Sequence, residues 1–105
     1  MLGDMEGMMA KLKEAQQKIE ETKARLNTVM VNGESGGGKV KVVVTANREI
    51  RSIAIDEFLL KDSDELEDYL IIAINNALNN ANEINEREMS AAAKGGLPDI
   101  PGFDF

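Results

Sequence analysis

Hydrophobic residues recur at heptad spacing in the first part of the chain and predict a long amphipathic helix. Asp4 stands where the N-cap of this helix is expected. The a and d positions, in which Thr22 is the polar member, are Met5, Met8, Leu12, Ala15, Ile19, Thr22, Leu26 and Val29. A seam of about three heptads is longer than a helix needs to lie on a small sheet. We therefore expect part of this helix to project or to pair with another helix.

The helix is expected to give way to a strand near Asn27. The sequence becomes β-branched from Thr28 onward, which favours extended backbone. Gly33 and the three glycines at 36–38 follow, and they supply the backbone freedom that a hairpin needs. We predict that these four glycines belong to the first hairpin connection.

Two further β-branched runs complete a predicted antiparallel meander of three strands. The second run alternates, so that one face carries Val40, Val42 and Val44. Residues 46–49 form a predicted short turn, and residues 50–56 return as the third strand. The predicted fold class is therefore α+β, with the order α-β-β-β-α.

A D-x-x-E pattern at Asp62 and Glu65 predicts the start of the second helix. Its apolar stripes comprise Leu66, Leu70, Ala73, Ala77, Ala81 and Ile84, with Ile71, Ile74 and Leu78 adjoining. This face is wider than one small sheet can cover, so we expect a homodimer. The candidate dimer interface is Leu70, Ile71, Ile74 and Leu78.

The rest of the second helix is rich in asparagine, to which the sequence assigns no function. These residues are Asn75, Asn76, Asn79, Asn80, Asn82 and Asn85. Asparagine is a mediocre helix former, so packing must hold this segment helical. We predict a single domain over residues 1–92 and a flexible tail over 93–105, where Gly and Pro interrupt scattered apolar residues.

Composition excludes much of enzyme chemistry. The 105 residues include no cysteine and no histidine, which removes thiolate nucleophiles, Cys-type zinc sites and the commonest general base. We therefore expect no catalytic residues, no metal and no small-molecule substrate. The chain shows no secretory leader and no membrane-spanning segment, so we expect a cytoplasmic location without membrane contact.

Charge is distributed unevenly along the chain. The net charge is -7, which by itself disfavours a nucleic-acid partner. Residues 1–51, however, hold nine Lys or Arg against seven Asp or Glu, a net of +2, whereas residues 52–105 hold three against twelve, a net of -9. This asymmetry allows a basic surface on the first helix and the sheet.

The best candidate binding surface is a cationic ridge on the first helix. Lys11, Lys18 and Arg25 lie seven residues apart at g positions, and Lys13 and Lys23 lie on flanking faces. The hairpin edges add four further candidates, which are Lys39, Lys41, Arg48 and Arg51. The alternative interpretation is that the helix charges only flank a helical seam, and that the strand charges protect a sheet edge.

The run Gly33 to Val40 matches a phosphate-loop pattern only superficially. Val40 stands where that loop needs Ser or Thr for magnesium, and the predicted element that follows is a strand where the loop must open a helix. We interpret the run as a hairpin tip without nucleotide chemistry.

Residues 29–56, the acidic start of the second helix and the Leu97-Pro-x-x-Pro-Gly-Phe tail resemble the YbaB/EbfC family of nucleoid-associated proteins. The resemblance covers nearly the whole chain. It implies an α-β-β-β-α protomer in a homodimer with projecting N-terminal helices, located in the nucleoid. It also implies binding of double-stranded DNA without a cofactor and without catalysis. It also implies that basic residues of the helices and the hairpin face DNA, here first Lys11, Lys13, Lys18, Lys23 and Arg25.

A second function stays open on the residues alone. The apolar heptad seam and the overall acidity favour a protein-interaction module whose projecting helices grip a partner helix or chain. An RNA target has less support, because the sequence shows no aromatic stacking platform.

Overall fold

The computed structural model of the chain describes the backbone of residues 2–95 and the side chains of residues 5–94. The elements are α1 (Leu2–Leu26), β1 (Met30–Ser35), β2 (Val40–Thr45), β3 (Ile50–Ile55), a 3-10 helix (Glu57–Lys61) and α2 (Ser63–Gly95). This order confirms the predicted α-β-β-β-α arrangement and the α+β fold class. The chain divides into two compact units, one of residues 26–85 and one that combines α1 up to Arg25 with α2 from Glu86.

The unit of residues 26–85 is built on an antiparallel sheet in the order β1-β2-β3. Val31 lies opposite Val44 and Gly33 lies opposite Val42, while Val42 in turn pairs with Ile53. Val40, Val42 and Val44 are fully buried, as the alternation of the second run predicts. The central strand therefore supplies the middle of the core.

Gly33 lies within β1 and not in the hairpin loop, so the prediction for this residue was wrong. A Cβ atom at Gly33 would lie 2.5 Å from the carbonyl oxygen of Ala73 and 2.6 Å from the Cα of Ala77, both in α2. The backbone of α2 thus lies directly against β1, and only a residue without a side chain fits between them. The hairpin turn itself uses Gly36, Gly37 and Gly38, whose φ angles are +61°, +67° and +91°.

Two asparagines of α2 bind the backbone of β1, one of the two outer strands of the sheet. Asn76 Nδ2 donates to the carbonyl of Glu34 at 3.1 Å, and Asn80 Nδ2 donates to the carbonyl of Asn32 at 3.1 Å. Four residues of helix advance by about 6 Å and two residues of strand by about 6.7 Å, so the two spacings match. The helix therefore satisfies carbonyl groups at the sheet edge that strand pairing leaves open.

A third asparagine holds the turn between β2 and β3. Asn85 Nδ2 donates to the carbonyl of Ala46 at 3.1 Å and to Oδ1 of Asn47 at 3.2 Å. Inside the turn, Thr45 Oγ1 accepts the backbone N–H groups of Asn47 and Glu49, each at 3.2 Å. The predicted turn at residues 46–49 is thus confirmed, and it is bonded to α2 at one end of the sheet.

The start of α2 follows the predicted cap. Asp62 Oδ1 accepts the backbone N–H of Glu65 at 3.1 Å, which is the expected N-cap bond. The preceding 3-10 helix is capped in the same way, because Asp56 Oδ1 accepts the N–H of Phe58 at 3.0 Å. The carboxylates of Asp56 and Asp62 therefore act as N-caps of the two helices.

The second unit pairs the two helices. Ala15 of α1 and Ala92 of α2 are buried, and Arg25 Nη2 lies 3.1 Å from Glu88 Oε2. The helix α1 ends at Leu26, so Val29 lies outside it and the predicted heptad series is one member too long. The helix α2 continues to Gly95, three residues into the predicted tail, and the rest of that tail lies outside the described residues.

We predict that Gly33→Ala strongly destabilises the protein, by about 3 kcal/mol or more, because the added methyl group meets helix backbone that cannot move aside. Gly37→Ala is the matched control. A methyl group added at Gly37 would meet no atom within 4 Å, so this change costs only the left-handed conformation, about 1 kcal/mol. Urea unfolding followed through Tyr69 fluorescence measures the loss of unfolding free energy in both variants. Equal losses would contradict the close-approach argument.

We also predict that the two asparagine pairs of α2 respond differently to alanine. Asn76→Ala and Asn80→Ala each lose a bond to β1, whereas Asn75→Ala and Asn79→Ala change exposed positions and gain the same helix propensity. The free energy of unfolding of Asn76→Ala and of Asn80→Ala should each be about 1 kcal/mol lower than that of the two control variants, because one hydrogen bond is lost. Chemical denaturation of the four single variants tests the difference, and indistinguishable midpoints would rule out a stabilising role for these bonds.

Candidate nucleic-acid interface

The cations of α1 lie along one unit of the structure. Lys11, Lys18 and Arg25 share a face of the helix, separated by about 10 Å per step. Lys11 and Lys13 are exposed near the start of the helix. The predicted ridge is therefore a continuous feature of α1, accessible at its N-terminal part.

Acidic side chains lie beside the ridge. Glu14, Gln17, Lys18 and Glu21 line one shallow depression on α1. Arg25 is engaged by Glu88 of α2, in an ion pair whose side chains are half-exposed. An exposed pair of this kind contributes little to stability, about 0–1 kcal/mol, so Arg25 can exchange its partner for a phosphate at small cost.

The four cations of the sheet fall into two groups. Lys39 and Lys41 are exposed at the hairpin end of β2, where Lys41 lies opposite Glu34. Arg48 and Arg51 follow the other end of β2, so the structure does not bring the two groups together. The predicted hairpin extension of the basic surface is thus divided between the ends of the sheet.

Arg48 and Arg51 are both held by neighbouring side chains. Arg48 adopts a left-handed backbone conformation with φ +68°, and its Nη1 donates to Asn82 Oδ1 at 3.0 Å. Arg51 Nη1 lies 3.6 Å from Glu49 Oε1. Each guanidinium keeps further N–H donors beyond these contacts.

The candidate dimer residues surround an apolar surface on the unit of residues 26–85. Leu70, Ile74 and Leu78 are half-buried, whereas Ile71 is 51% exposed. Leu66, Leu70, Ile71 and Ile74 line one groove together with Ser63 and Glu67. The sequence-predicted interface residues therefore lie on one accessible face of α2.

Sequence reasoning missed that β3 and the 3-10 helix also expose large apolar side chains. Ile53 pairs with the buried Val42 yet is 43% exposed, because α2 covers the neighbouring strands and leaves β3 open. Phe58 and Leu60 are exposed as well. The alternation in β3 predicts the face of Ile53, but no pattern in the sequence shows that the helix stops short of this strand.

The acidic side chains, the glycine loop and the helices bear on metal, nucleotide and membrane binding. Within residues 5–94 no group of His, Cys, Asp and Glu side chains is arranged to hold a metal ion. The glycine loop at 36–38 leads into β2, where a phosphate loop would open a helix. Neither described helix has the length and apolarity that crossing a bilayer requires.

The chain resembles known proteins in sequence and in fold. The sequence model of the YbaB/EbfC DNA-binding family matches residues 1–97. A protein of Flavobacterium johnsoniae named nucleoid-associated protein is 52% identical over 101 residues, which cover 96% of this chain and 95% of that protein. The crystal structure of the uncharacterized protein HP0035 from Helicobacter pylori superposes with a TM-score of 0.69 at 24% identity, covering 72% of this chain and 82% of that one. The last similarity supports the fold alone.

Proposed function

The chain belongs to the YbaB/EbfC DNA-binding family, and we propose that it acts as a homodimer that binds double-stranded DNA mainly through phosphate contacts. In this role it takes part in organising or regulating the chromosome within the nucleoid. The family is a DNA-binding family and not a class of enzyme. The observation that carries the phosphate-contact proposal is the row of accessible cations on α1.

Charge distribution supports α1 as the surface that meets DNA. The first turns of α2 carry Asp64, Glu65, Glu67 and Asp68, all of them at a helix start where carboxylates complement the helix dipole. These carboxylates repel a phosphate backbone, so they favour α1 over the start of α2 as the DNA-binding surface. Nothing in the described part of α1 or in the sheet resembles a base-reading element, and affinity then comes mainly from counterion release.

The apolar face on α2 and β3 supports the homodimer. Ile53, Phe58 and Ile71 are each more than 40% exposed in the single protomer. Large apolar surfaces of this kind on soluble proteins mark interfaces. A second copy of the chain would cover this face, and a small domain gains core volume from such pairing.

A second candidate function is favoured by one observation. Met5, Met8, Met9 and Leu12 are exposed on one side of α1, which suits a module that grips a partner helix. A protein partner held by this face would bind with little dependence on salt, in contrast to DNA.

We predict that DNA affinity depends on the α1 ridge. The triple variant Lys11→Ala, Lys18→Ala, Arg25→Ala should lower the slope of log affinity against log salt by about 0.9 for each phosphate that is no longer neutralised, to a similar extent on all duplex sequences. Mobility shifts over a salt series with random duplexes measure the slope.

Two further variants control this experiment. Lys11→Ala with Lys18→Ala leaves the Arg25–Glu88 pair in place, which separates the removal of DNA-facing cations from damage to the fold. Lys61→Ala removes one positive charge outside the candidate set, where Lys61 lies over the ring of Phe58. If the ridge variants bind like the parent, the ridge is only the flank of a helical seam and the protein-partner function is preferred.

We predict a constitutive homodimer that the apolar face of α2 holds together. Ile74→Asp or Leu78→Asp should impair dimerisation and folding together, since a buried charge is left without a partner. Ile71→Asp changes a side chain that the protomer leaves exposed, so it should dissociate the dimer while the fold persists. Asn75→Asp adds the same charge on an exposed position as control. Light scattering reports the mass, and a parent protein that is monomeric at micromolar concentration would overturn the proposal.

A further inference from the structure

The apolar seam of α1 continues beyond the part of α2 that covers it. In the unit that combines α1 with the end of α2, Ala15 is buried and Ile19 and Thr22 are half-buried. Toward the N-terminus the same side of the helix is open, with Met5 63% and Met8 66% exposed. Met9 and Leu12 are exposed beside them. Together, Met5, Met8, Met9 and Leu12 form what we call the methionine face.

The direction of α2 leads toward the methionine face. Glu88 pairs with Arg25, which is almost the last residue of α1, and α2 continues to Gly95 within the same unit. In the same unit Ala15, which precedes Arg25, and Ala92, which follows Glu88, are both buried, as expected for two helices that run antiparallel. At about 1.5 Å per residue, Gly95 lies level with about Lys18, so the methionine face begins about 9 Å further along, at Leu12.

The residues that follow α2 have the length and composition to continue along the seam. Residues 96–105 lie outside the described residues, and they read Gly-Leu-Pro-Asp-Ile-Pro-Gly-Phe-Asp-Phe. Two of them, Pro98 and Pro101, are prolines, a residue type that helix interiors disfavour. Ten residues of extended chain reach up to about 33 Å, whereas Met5 is only about 20 Å beyond the level of Lys18. The segment thus offers four apolar side chains to the four exposed side chains of the methionine face. They are those of Leu97, Ile100, Phe103 and Phe105.

Charge complements this apolar match. At 3.6 residues per turn, Lys11 lies on one side of the methionine face and Lys13 on the other. Residues 96–105 contain two carboxylates, Asp99 and Asp104, and no basic residue. A segment that follows the seam therefore carries its negative charges between two exposed lysines. Methionine also makes favourable sulfur contacts with aromatic rings such as those of Phe103 and Phe105.

We propose that residues 97–105 of the chain dock on the methionine face of α1 of the same protomer and place Asp99 and Asp104 beside Lys11 and Lys13. The docked tail competes with DNA phosphates for these lysines, so it weakens DNA binding and must be displaced when DNA occupies this part of the ridge. The docking itself stands independently of DNA, whereas the competition rests on the proposed DNA-binding function.

Methyl NMR of the full-length protein tests the docking without DNA. With 13C-methyl methionine, the Met8 and Met9 resonances, assigned through Met→Leu variants, should shift between the parent and Phe103→Ser/Phe105→Ser as the aromatic rings leave. Ile72→Ser is the control, because it removes an exposed apolar side chain from α2 in the other unit. It should leave the Met8 and Met9 chemical shifts unchanged. Identical spectra for parent and tail variant would overturn the proposal.

Mixing labelled and unlabelled protein identifies the copy that supplies the tail. Labelled Phe103→Ser/Phe105→Ser protein is mixed with an excess of unlabelled parent and allowed to exchange subunits. The variant spectrum should persist, because each tail binds its own protomer. Return of the parent shifts would assign the face to the tail of a second copy and overturn the placement within one protomer.

DNA titration tests the competition. Asp99→Asn/Asp104→Asn should bind duplex DNA about threefold more tightly than the parent at low salt, since two exposed ion pairs no longer oppose the phosphates. Asp64→Asn/Asp68→Asn changes the net charge equally at the start of α2 and should have a smaller effect. Equal gains in both variants would show a general charge effect and overturn the competition. If no variant binds DNA, the proposed function fails, and the methyl spectra still decide the docking.

Discussion

The contact between the backbone of α2 and the backbone of β1 at Gly33 governs the rest of the fold. The helix can lie this close because Ala73, Ala77 and Ala81 present only methyl groups, all fully buried, and because Gly33 presents none. The same closeness brings Asn76 and Asn80 within reach of the β1 carbonyls. One short distance therefore fixes the register of helix against strand and closes one edge of the sheet.

This close approach also determines which surface is left open. The helix α2 lies over β1 and β2, so Val40, Val42 and Val44 are fully buried while Ile53 on β3 is not. The wide apolar face of α2 then has a side that no strand covers, at Ile71 and its neighbours. The surface that we propose for the dimer is thus a consequence of helix position, because a helix centred over all three strands would bury Ile53 instead.

The apolar surface on α2 and β3 and the methionine face of α1 differ in character, and the difference bears on function. The surface on α2 and β3 is made of Ile and Leu side chains that belong to a long helix and a paired strand, which suits a permanent interface. The methionine face of α1 is made mostly of unbranched, adaptable side chains flanked by lysines, which suits a contact that forms and releases. In an acidic protein, cations placed beside a releasable contact would let the proposed DNA binding be adjusted without any change in the fold.

The sequence by itself determined the order and the type of the elements. Heptad spacing, alternation in β2 and the cap at Asp62 are local patterns, since each depends on residues a few positions apart, and the structure confirms all three. It also placed the cations of α1 on one ridge, because helical spacing fixes their face. Only the tertiary structure decided the role of Gly33 and the function of the asparagines, because both depend on a strand and a helix that lie some 40 residues apart in the chain. A glycine beside three others reads as a turn, and an asparagine in a helix reads as a poor helix former, until the facing backbone is known.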